Sequence, residues 1–160
     1  MKMSRRTKTV TITVKGRDQG KMFLITEMSA DQAERWATKA GGAMIQAAQN
    51  NPDSNDAMGL IFTGSVMTGF ATEEDIKEQP DINWEKLSKI SNLMLMRLPE
   101  KQLRPLLDEL MDCVQFILNP KHPEAPQKLL SSDIEEAKTY ARLRNAVYEL
   151  HSGFFLVEGL

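Results

Sequence analysis

Cysteine and histidine, on which many metal sites and catalytic centres depend, are scarce in this sequence. Cys113 is its one cysteine, and His122 and His151 are its two histidines. A single cysteine excludes a disulfide within the chain and is typical of a reducing compartment. The spacing of these residues matches no zinc-ligand pattern. We interpret Cys113 as a buried, inert thiol on the apolar side of a predicted helix, and His151 as a helix-end residue.

Long apolar runs and an excess of one charge are missing as well. No apolar run approaches the roughly 20 residues that are needed to span a bilayer. The formal net charge is −2, whereas a general nucleic-acid binder is normally clearly basic. The basic residues near the start, among them Arg5 and Arg6, are not followed by the apolar region of a signal peptide. We therefore expect neither a membrane nor a nucleic acid as a partner.

No arrangement of residues typical of catalysis is recognisable. The segment GRDQG at residues 16–20 is interpreted as a hairpin turn rather than a phosphate-binding loop. The acidic clusters at residues 108–112 and 133–136 are explained by a solvated helix face and by a helix start. We predict no catalytic, cofactor or metal site. The chain is accordingly interpreted as a binding or assembly protein rather than an enzyme.

The first part of the chain alternates apolar and polar residues, which is typical of β-strands. In residues 7–15 the apolar members are Val10, Ile12 and Val14. A second alternating run, MFLITE, covers residues 22–27, and the short turn between the two runs predicts an antiparallel hairpin. Because an isolated hairpin is marginally stable, it must pack on a helix or pair with another chain. Its exposed edge leaves the second option open.

A well-marked helix follows the hairpin. Ser29 occupies the N-cap position, and Gln32 stands three residues later at the spacing of a capping box. Trp36 is the largest side chain of the apolar stripe, and we predict that it anchors the helix to the sheet. Gly41 and Gly42 interrupt the helix at a cost of about 1 kcal/mol each relative to alanine. Either a close approach of another helix or a local bend explains them.

Further helices are predicted along the rest of the chain. They cover residues 56–70, residues 84–98 and residues 105–118, with Pro105 in the first turn of the third. The stripe of the helix from Trp84 consists of Trp84, Leu87, Ile90, Leu93 or Met94, and Leu98. The last helix begins at a capping box of Ser132 and Glu135 and stops at Gly153.

The predicted fold class is α+β and predominantly α-helical, with the hairpin of residues 7–28 packed on a bundle of about four to five helices. We expect a single domain over residues 1–160. The helical core covers residues 30–118, a proline-rich loop residues 119–131, and the C-terminal helix residues 132–152. The apolar tail of residues 153–160 either folds back on the core or docks on a partner.

Three parts of the chain resemble small proteins encoded in the tail-gene region of tailed bacteriophages and prophages. The first is FLITEM at residues 23–28 with QAERWA at residues 32–37, and the second is PLLDELMDCV at residues 105–114. The third comprises DIEEA at residues 133–137, LR at residues 143–144 and LHSGF at residues 150–154. These proteins are tail assembly chaperones of long-tailed phages.

The resemblance implies a mostly helical, self-associating protein that acts in the bacterial host cytoplasm. Such chaperones bind the long tape-measure protein before it is sheathed and help to recruit tail-tube proteins around it. No catalytic residue and no cofactor is implied. The family therefore suggests function through protein contacts alone.

Some apolar residues exceed what one small core needs, and methionine is common on surfaces that accept several partners. We predict that they contribute to a client or self-association surface. The candidates are Trp84, Met94, Met96, Phe154, Phe155 and Leu156.

Two other functions remain as alternatives. A structural tail or head–tail component retained in the virion would use the hairpin edge to add a strand to a neighbouring sheet. A small DNA-binding regulator would use the basic N-terminus, but the net charge and the lack of a helix-turn-helix pattern disfavour it.

Overall fold

The computed structural model describes residues 5–69 and 84–155; the side chains of residues 84–88 and 152–155 are not part of the description. The described chain has five α-helices and a β-sheet that contains the N-terminal strand pair, so the predicted, mostly helical α+β class is confirmed. Contacts between Cα atoms divide the chain into two compact units. We call residues 1–29 with 107–150 the sheet unit, and residues 30–106 with 151–160 the helical unit.

The sheet has the order β1–β2–β3–β4, and each neighbouring pair is antiparallel. β1 (Thr7–Thr11) and β2 (Met22–Thr26) form the predicted hairpin, in which Val10 lies opposite Phe23. The loop returns into β2 through Gly20, whose φ of +88° favours glycine. The strand ends before Val14, which is 46% exposed, so the prediction of a strand through residue 15 is wrong.

β3 (Val114–Ile117) contradicts the prediction of a helix over residues 105–118. The preceding helix ends at Met111, and the next residues pair with β2, so that Phe116 lies opposite Phe23 with ring centroids 5.4 Å apart. A short apolar run cannot be assigned to strand or helix from its period alone. Pairing with β2 decides it here, because the second edge of that strand needs hydrogen-bond partners. β4 (Gln127–Lys128) adds a short strand inside the predicted proline-rich loop.

In the helical unit, α1 (Ala30–Asn50) runs through Gly41 and Gly42 without a break. It packs against α2 (Ala57–Met67), and a Cβ built on Gly41 would lie 2.8 Å from the carbonyl oxygen of Gly64. A Cβ on Gly64 would likewise lie 2.6 Å from the carbonyl oxygen of Gly41. The close approach of another helix is therefore confirmed for Gly41, whereas a Cβ on Gly42 would meet nothing within 4 Å.

α3 (Trp84–Leu95) and α4 (Glu100–Met111) follow. α4 begins five residues before the predicted start, because the carbonyl oxygen of Pro99 accepts hydrogen bonds from the N–H groups of Gln102 and Leu103. Pro105 accordingly lies inside the helix rather than in its first turn. Trp36 is buried, and its indole N–H donates to the carbonyl oxygen of Leu106 at 3.1 Å. The anchor contact seen for Trp36 thus joins α1 to α4.

The last helix is α5 (Ala137–Phe155), and both of its predicted ends are wrong. Ser131–Asp133 form a 3₁₀ turn, so Ser132 and Glu135 do not make a capping box at a helix start. At the other end the helix continues through Gly153 to Phe155. A side chain from the hairpin loop replaces the predicted local cap, as described below.

Candidate functional site

The helical unit carries large apolar side chains that face solvent. Their exposed fractions range from 41% to 77%, and they lie on α2, on α3 and in the turn that follows α3. We call them the apolar surface residues: Met58, Ile61, Ile90, Leu93 and Met96.

The two helices that carry the apolar surface residues are in contact with each other. The Sδ atom of Met94 on α3 lies 3.0 Å from the position that a Cβ would take on Gly59 of α2. Asp56 directly precedes α2 and Arg97 follows α3, and Arg97 Nε lies 3.5 Å from Asp56 Oδ2. α2 therefore has one apolar side buried in the unit and further apolar residues on its exposed side. A helix that is apolar all round is normally covered on all sides.

The residues predicted to bind partners are placed differently from one another. Met96 is 45% exposed and belongs to the apolar surface residues. Met94 is only 7% exposed and packs over Gly59, so it is not available to a partner in this structure. The side chains of Trp84, Phe154 and Phe155 and the whole of Leu156 lie outside the described residues.

Of the apolar stripe predicted for α3, Met94 and Leu98 are buried, whereas Ile90 and Leu93, the alternative to Met94, are exposed. The buried residues at the end of this helix are Met94, Leu95 and Leu98. At 100° per residue, Leu93 points roughly opposite to the midpoint of Met94 and Leu95, and Ile90 lies about 90° from that midpoint. The sequence does contain a signal for exposed apolar residues, because the apolar residues of α3 cover more of its circumference than one buried stripe requires. Met58 and Ile61 were missed because α2 is apolar on every side.

A second candidate surface is an open groove of about 680 Å³ in the sheet unit, between β1 and α5. Its lining from the strand side includes Lys8, Thr9 and Thr11, and its lining from the helix includes Ala141 and Arg142. β1 is the first strand of the sheet, so its edge away from β2 has no partner strand among the described residues. The groove therefore places unpaired strand backbone beside a helix face.

Asp18, in the hairpin loop, is a completely buried carboxylate that joins this loop to the start of α5. It accepts the Thr139 hydroxyl at 2.6 Å and the backbone N–H groups of Glu135 and Glu136 at 3.0 Å each. Lys21 Nζ lies 2.9 Å away and also donates to the Asp133 carbonyl oxygen at 2.9 Å. The arrangement caps the helix from outside the local sequence.

The charge states of Asp18 and Lys21 follow from their contacts. Burial by itself raises the pKa of Asp18, but the hydrogen bonds from Thr139, Lys21, Glu135 and Glu136 outweigh it and lower the pKa below its usual range. The hydrogen bond to Asp18 is the main reason that the pKa of Lys21 is raised. Both groups are therefore charged near neutral pH, and every donor is matched to an acceptor. The cluster is a structural cap with no free group to offer to a reaction.

Cys113 is buried, as predicted, but it lies in the turn between α4 and β3 and not on a helix. Burial raises its pKa to about 11. A thiol in that state is a poor nucleophile at neutral pH. His151 was interpreted as a helix-end residue, but it lies inside α5 and is only 2% exposed. His122 is exposed in the proline-rich loop, where its Nδ1 atom lies 3.2 Å from Glu124 Oε1.

The described residues also lack two further features, a metal-binding cluster and a membrane-spanning helix. They contain no group of three or more His, Cys, Asp or Glu side chains that could hold a metal ion. Within the same residues, no helix is long and apolar enough to cross a membrane. Comparisons of the chain with protein-family models, with curated proteins and with solved structures found no match.

Proposed function

We propose that this chain is a tail assembly chaperone of a long-tailed bacteriophage or prophage. In this role it binds the tape-measure and tail-tube proteins in the host cytoplasm while the tail is built, and it performs no chemical reaction. The starting point is the resemblance to such chaperones of residues 23–28 and 32–37, of residues 105–114, and of the segments 133–137, 143–144 and 150–154. The observation that carries the proposal is the set of apolar surface residues on two packed helices.

The chemistry of the apolar surface residues suits an assembly partner that must later be released. Exposed apolar side chains on neighbouring helices provide a binding face for the apolar side of an amphipathic helix. Met58 and Met96 are unbranched and flexible, so they can adapt to several client sequences. A tape-measure protein is a long helical client, which would present such faces repeatedly along its length.

The alternative is a structural component that remains in the virion tail. The free edge of β1 favours this alternative, since an edge strand can pair permanently with a sheet in a neighbouring subunit. Both functions are non-enzymatic and use protein contacts. They differ in whether the protein stays in the mature particle.

The deciding experiment is a pull-down of the tagged chain co-expressed with the neighbouring tail genes, run beside mass spectrometry of purified particles. Capture of the tape-measure or tube protein, together with absence from particles, is the expected result. Stoichiometric presence in particles would replace the chaperone with the structural component. Failure to capture any tail protein, in a preparation that is folded by circular dichroism, would contradict both.

A further inference from the structure

We propose that the groove between β1 and α5 binds an extended, acidic segment of a partner protein, which adds to the sheet as a fifth strand beside β1. The groove lies entirely in the sheet unit, and it contains none of the apolar surface residues. The inference is therefore independent of the proposed chaperone function. It concerns a peptide-binding site that any partner with the right sequence would use.

The backbone of β1 determines which groups are offered at its free edge. The N–H of Ile12 donates to the carbonyl oxygen of Lys21 at 2.9 Å, and the N–H of Glu27 donates to the carbonyl oxygen of Arg6 at 3.0 Å. In an antiparallel pair the residues that bond the neighbouring strand alternate. Even-numbered residues from Arg6 to Ile12 therefore face β2. The N–H and C=O groups of Thr7, Thr9 and Thr11 consequently point away from it, towards the free edge.

The helix opposite this edge leaves space for a further strand. Its residues along the groove lie three or four positions apart, so they share one face: Lys138, Ala141, Arg142, Asn145, Ala146 and Glu149. Ala141 and Ala146 have small side chains, so the helix face leaves space between its backbone and the strand. β1 spans five residues, or about 17 Å, so it can pair with a segment of about the same length.

The charges around the groove select an acidic segment. Lys8, Lys138 and Arg142 line it, whereas Glu149 is the one acidic residue in the lining. Lys138 is already engaged, since its Nζ donates to the Lys15 carbonyl oxygen at 3.0 Å and lies 3.5 Å from Glu136 Oε2. Lys8 and Arg142 form no ion pair with the described residues, and both side chains are exposed. They provide the unmatched positive charge for a partner carboxylate.

The test uses two capped eight-residue peptides, one in which glutamate alternates with valine or threonine, and one in which lysine replaces each glutamate. Binding to the full chain is followed by fluorescence anisotropy and by amide chemical shifts. We expect the acidic peptide to bind at least tenfold more tightly, with an affinity that falls as salt is added. The shifted amides should include Thr7, Thr9 and Thr11 and those of residues 138–149.

Three variants separate strand addition from charge attraction alone. Thr9→Pro removes an outward-facing N–H without removing a hydrogen bond to β2, and proline is tolerated on edge strands. Thr9→Pro should lower the affinity for the acidic peptide at least tenfold. The matched control, Thr9→Ala, should keep that affinity within threefold of the unmodified chain. Arg142→Glu, at an exposed position, should lower the affinity for the acidic peptide and raise the affinity for the lysine peptide. This variant tests the inference even if Thr9→Pro fails to fold.

Several results would overturn the inference. Absence of saturable binding by the acidic peptide is one, and equal binding of both peptides is another. Changes in amide chemical shift that are confined to the helical unit would show that the peptide binds outside the groove. Light scattering that shows a dimer in the unmodified chain and a monomer in Thr9→Pro would mean that a second copy, rather than a different partner, occupies the edge.

Discussion

At the scale of single residues, Asp18 is a fully buried carboxylate held by hydrogen bonds. Its carboxylate is inaccessible to solvent and receives hydrogen bonds from a hydroxyl, from two backbone N–H groups and from the Lys21 ammonium. Charged hydrogen bonds of this kind matter most when one partner is removed, because the remaining groups stay buried and unpaired. The residue thus connects the hairpin loop to the start of α5.

Replacing this carboxylate by an amide should destabilise the fold. Asp18→Asn places a donor NH₂ group against donors and leaves Lys21 without its counter-charge. We expect a loss of about 3 kcal/mol in the free energy of unfolding, measured by urea denaturation. The control is Asp31→Asn, which breaks the Asp31–Arg35 ion pair, whose side chains are 74% and 73% exposed. That pair should contribute less than about 1 kcal/mol, and equal losses in the two variants would contradict the buried cap.

The lowered pKa of Asp18 predicts a dependence of stability on acid pH. In the unfolded chain an aspartate has a pKa of about 3.9. As the pH falls below about 4, the unfolded state therefore takes up a proton that folded Asp18 does not, and the free energy of unfolding falls. Above that pH the contribution is fully present.

Urea midpoints at pH 5, 4 and 3 should converge between the unmodified chain and Asp18→Asn. Using the difference between the two proteins removes the effect of the other carboxylates. A difference that stays constant over this range would show that the pKa of Asp18 is not lowered by folding.

Cys113 offers a residue-scale test of burial. Because burial raises its pKa to about 11, the thiol should be almost wholly protonated at pH 8 and also shielded from reagents. We expect alkylation by iodoacetamide to be at least tenfold slower in the native chain than in urea, as measured by intact mass. Complete labelling of the native protein at the unfolded rate would contradict this.

At the scale of elements, Gly41 and Gly42 are neighbours in α1 with opposite roles. A Cβ on Gly41 would meet the Gly64 carbonyl oxygen at 2.8 Å and the Met67 Cβ at 3.0 Å, whereas a Cβ on Gly42 would meet nothing within 4 Å. Gly41→Ala must therefore push α2 away, at a cost of about 1–3 kcal/mol. Gly42→Ala should stabilise the chain by up to about 1 kcal/mol through helix propensity.

Thermal unfolding of the two single variants compares them directly. The same residue type is introduced one position apart, so differences in composition cancel. Equal shifts of the unfolding temperature would mean that the approach of α1 to α2 is not as close as described.

At the scale of the whole molecule, the apolar surface residues and the groove are two separate candidate surfaces, one on each unit. For the first, Leu93→Glu places a charge at a position that is 52% exposed, so it should change stability by no more than about 0.5 kcal/mol. If the proposed function holds, it should weaken capture of the tape-measure protein at least tenfold in the pull-down.

The matched control is Leu130→Glu, the same replacement in the sheet unit at a position that is 56% exposed. Capture should be unaffected by this change. Loss of capture in both variants would point to general charge repulsion, and retention in both would exclude Leu93 from the client contact.

Much of the fold was predictable because its signals are local. The hairpin follows from alternating residues around a glycine-rich turn, and α1 follows from a long amphipathic period, and both are present. The sites were less predictable. Of the residues predicted to contact partners, Met96 is exposed but Met94 is buried, and Met58, which is 77% exposed, was not among them. A periodicity shows that a helix has an apolar face, but not which of several apolar faces a neighbouring helix covers.

The sequence alone determined the composition class, the single thiol, the hairpin and the positions of most helices. That Val114–Ile117 is a strand follows from the folded chain alone, because its pairing partner β2 lies almost a hundred residues earlier in the sequence. The start of α5 likewise depends on a distant segment, since Asp18 accepts the N–H of Glu135, which lies 117 residues away in sequence. Hydrogen-bond partners and buried faces are chosen between segments that are distant in the chain, and local residue patterns carry no information about such pairings.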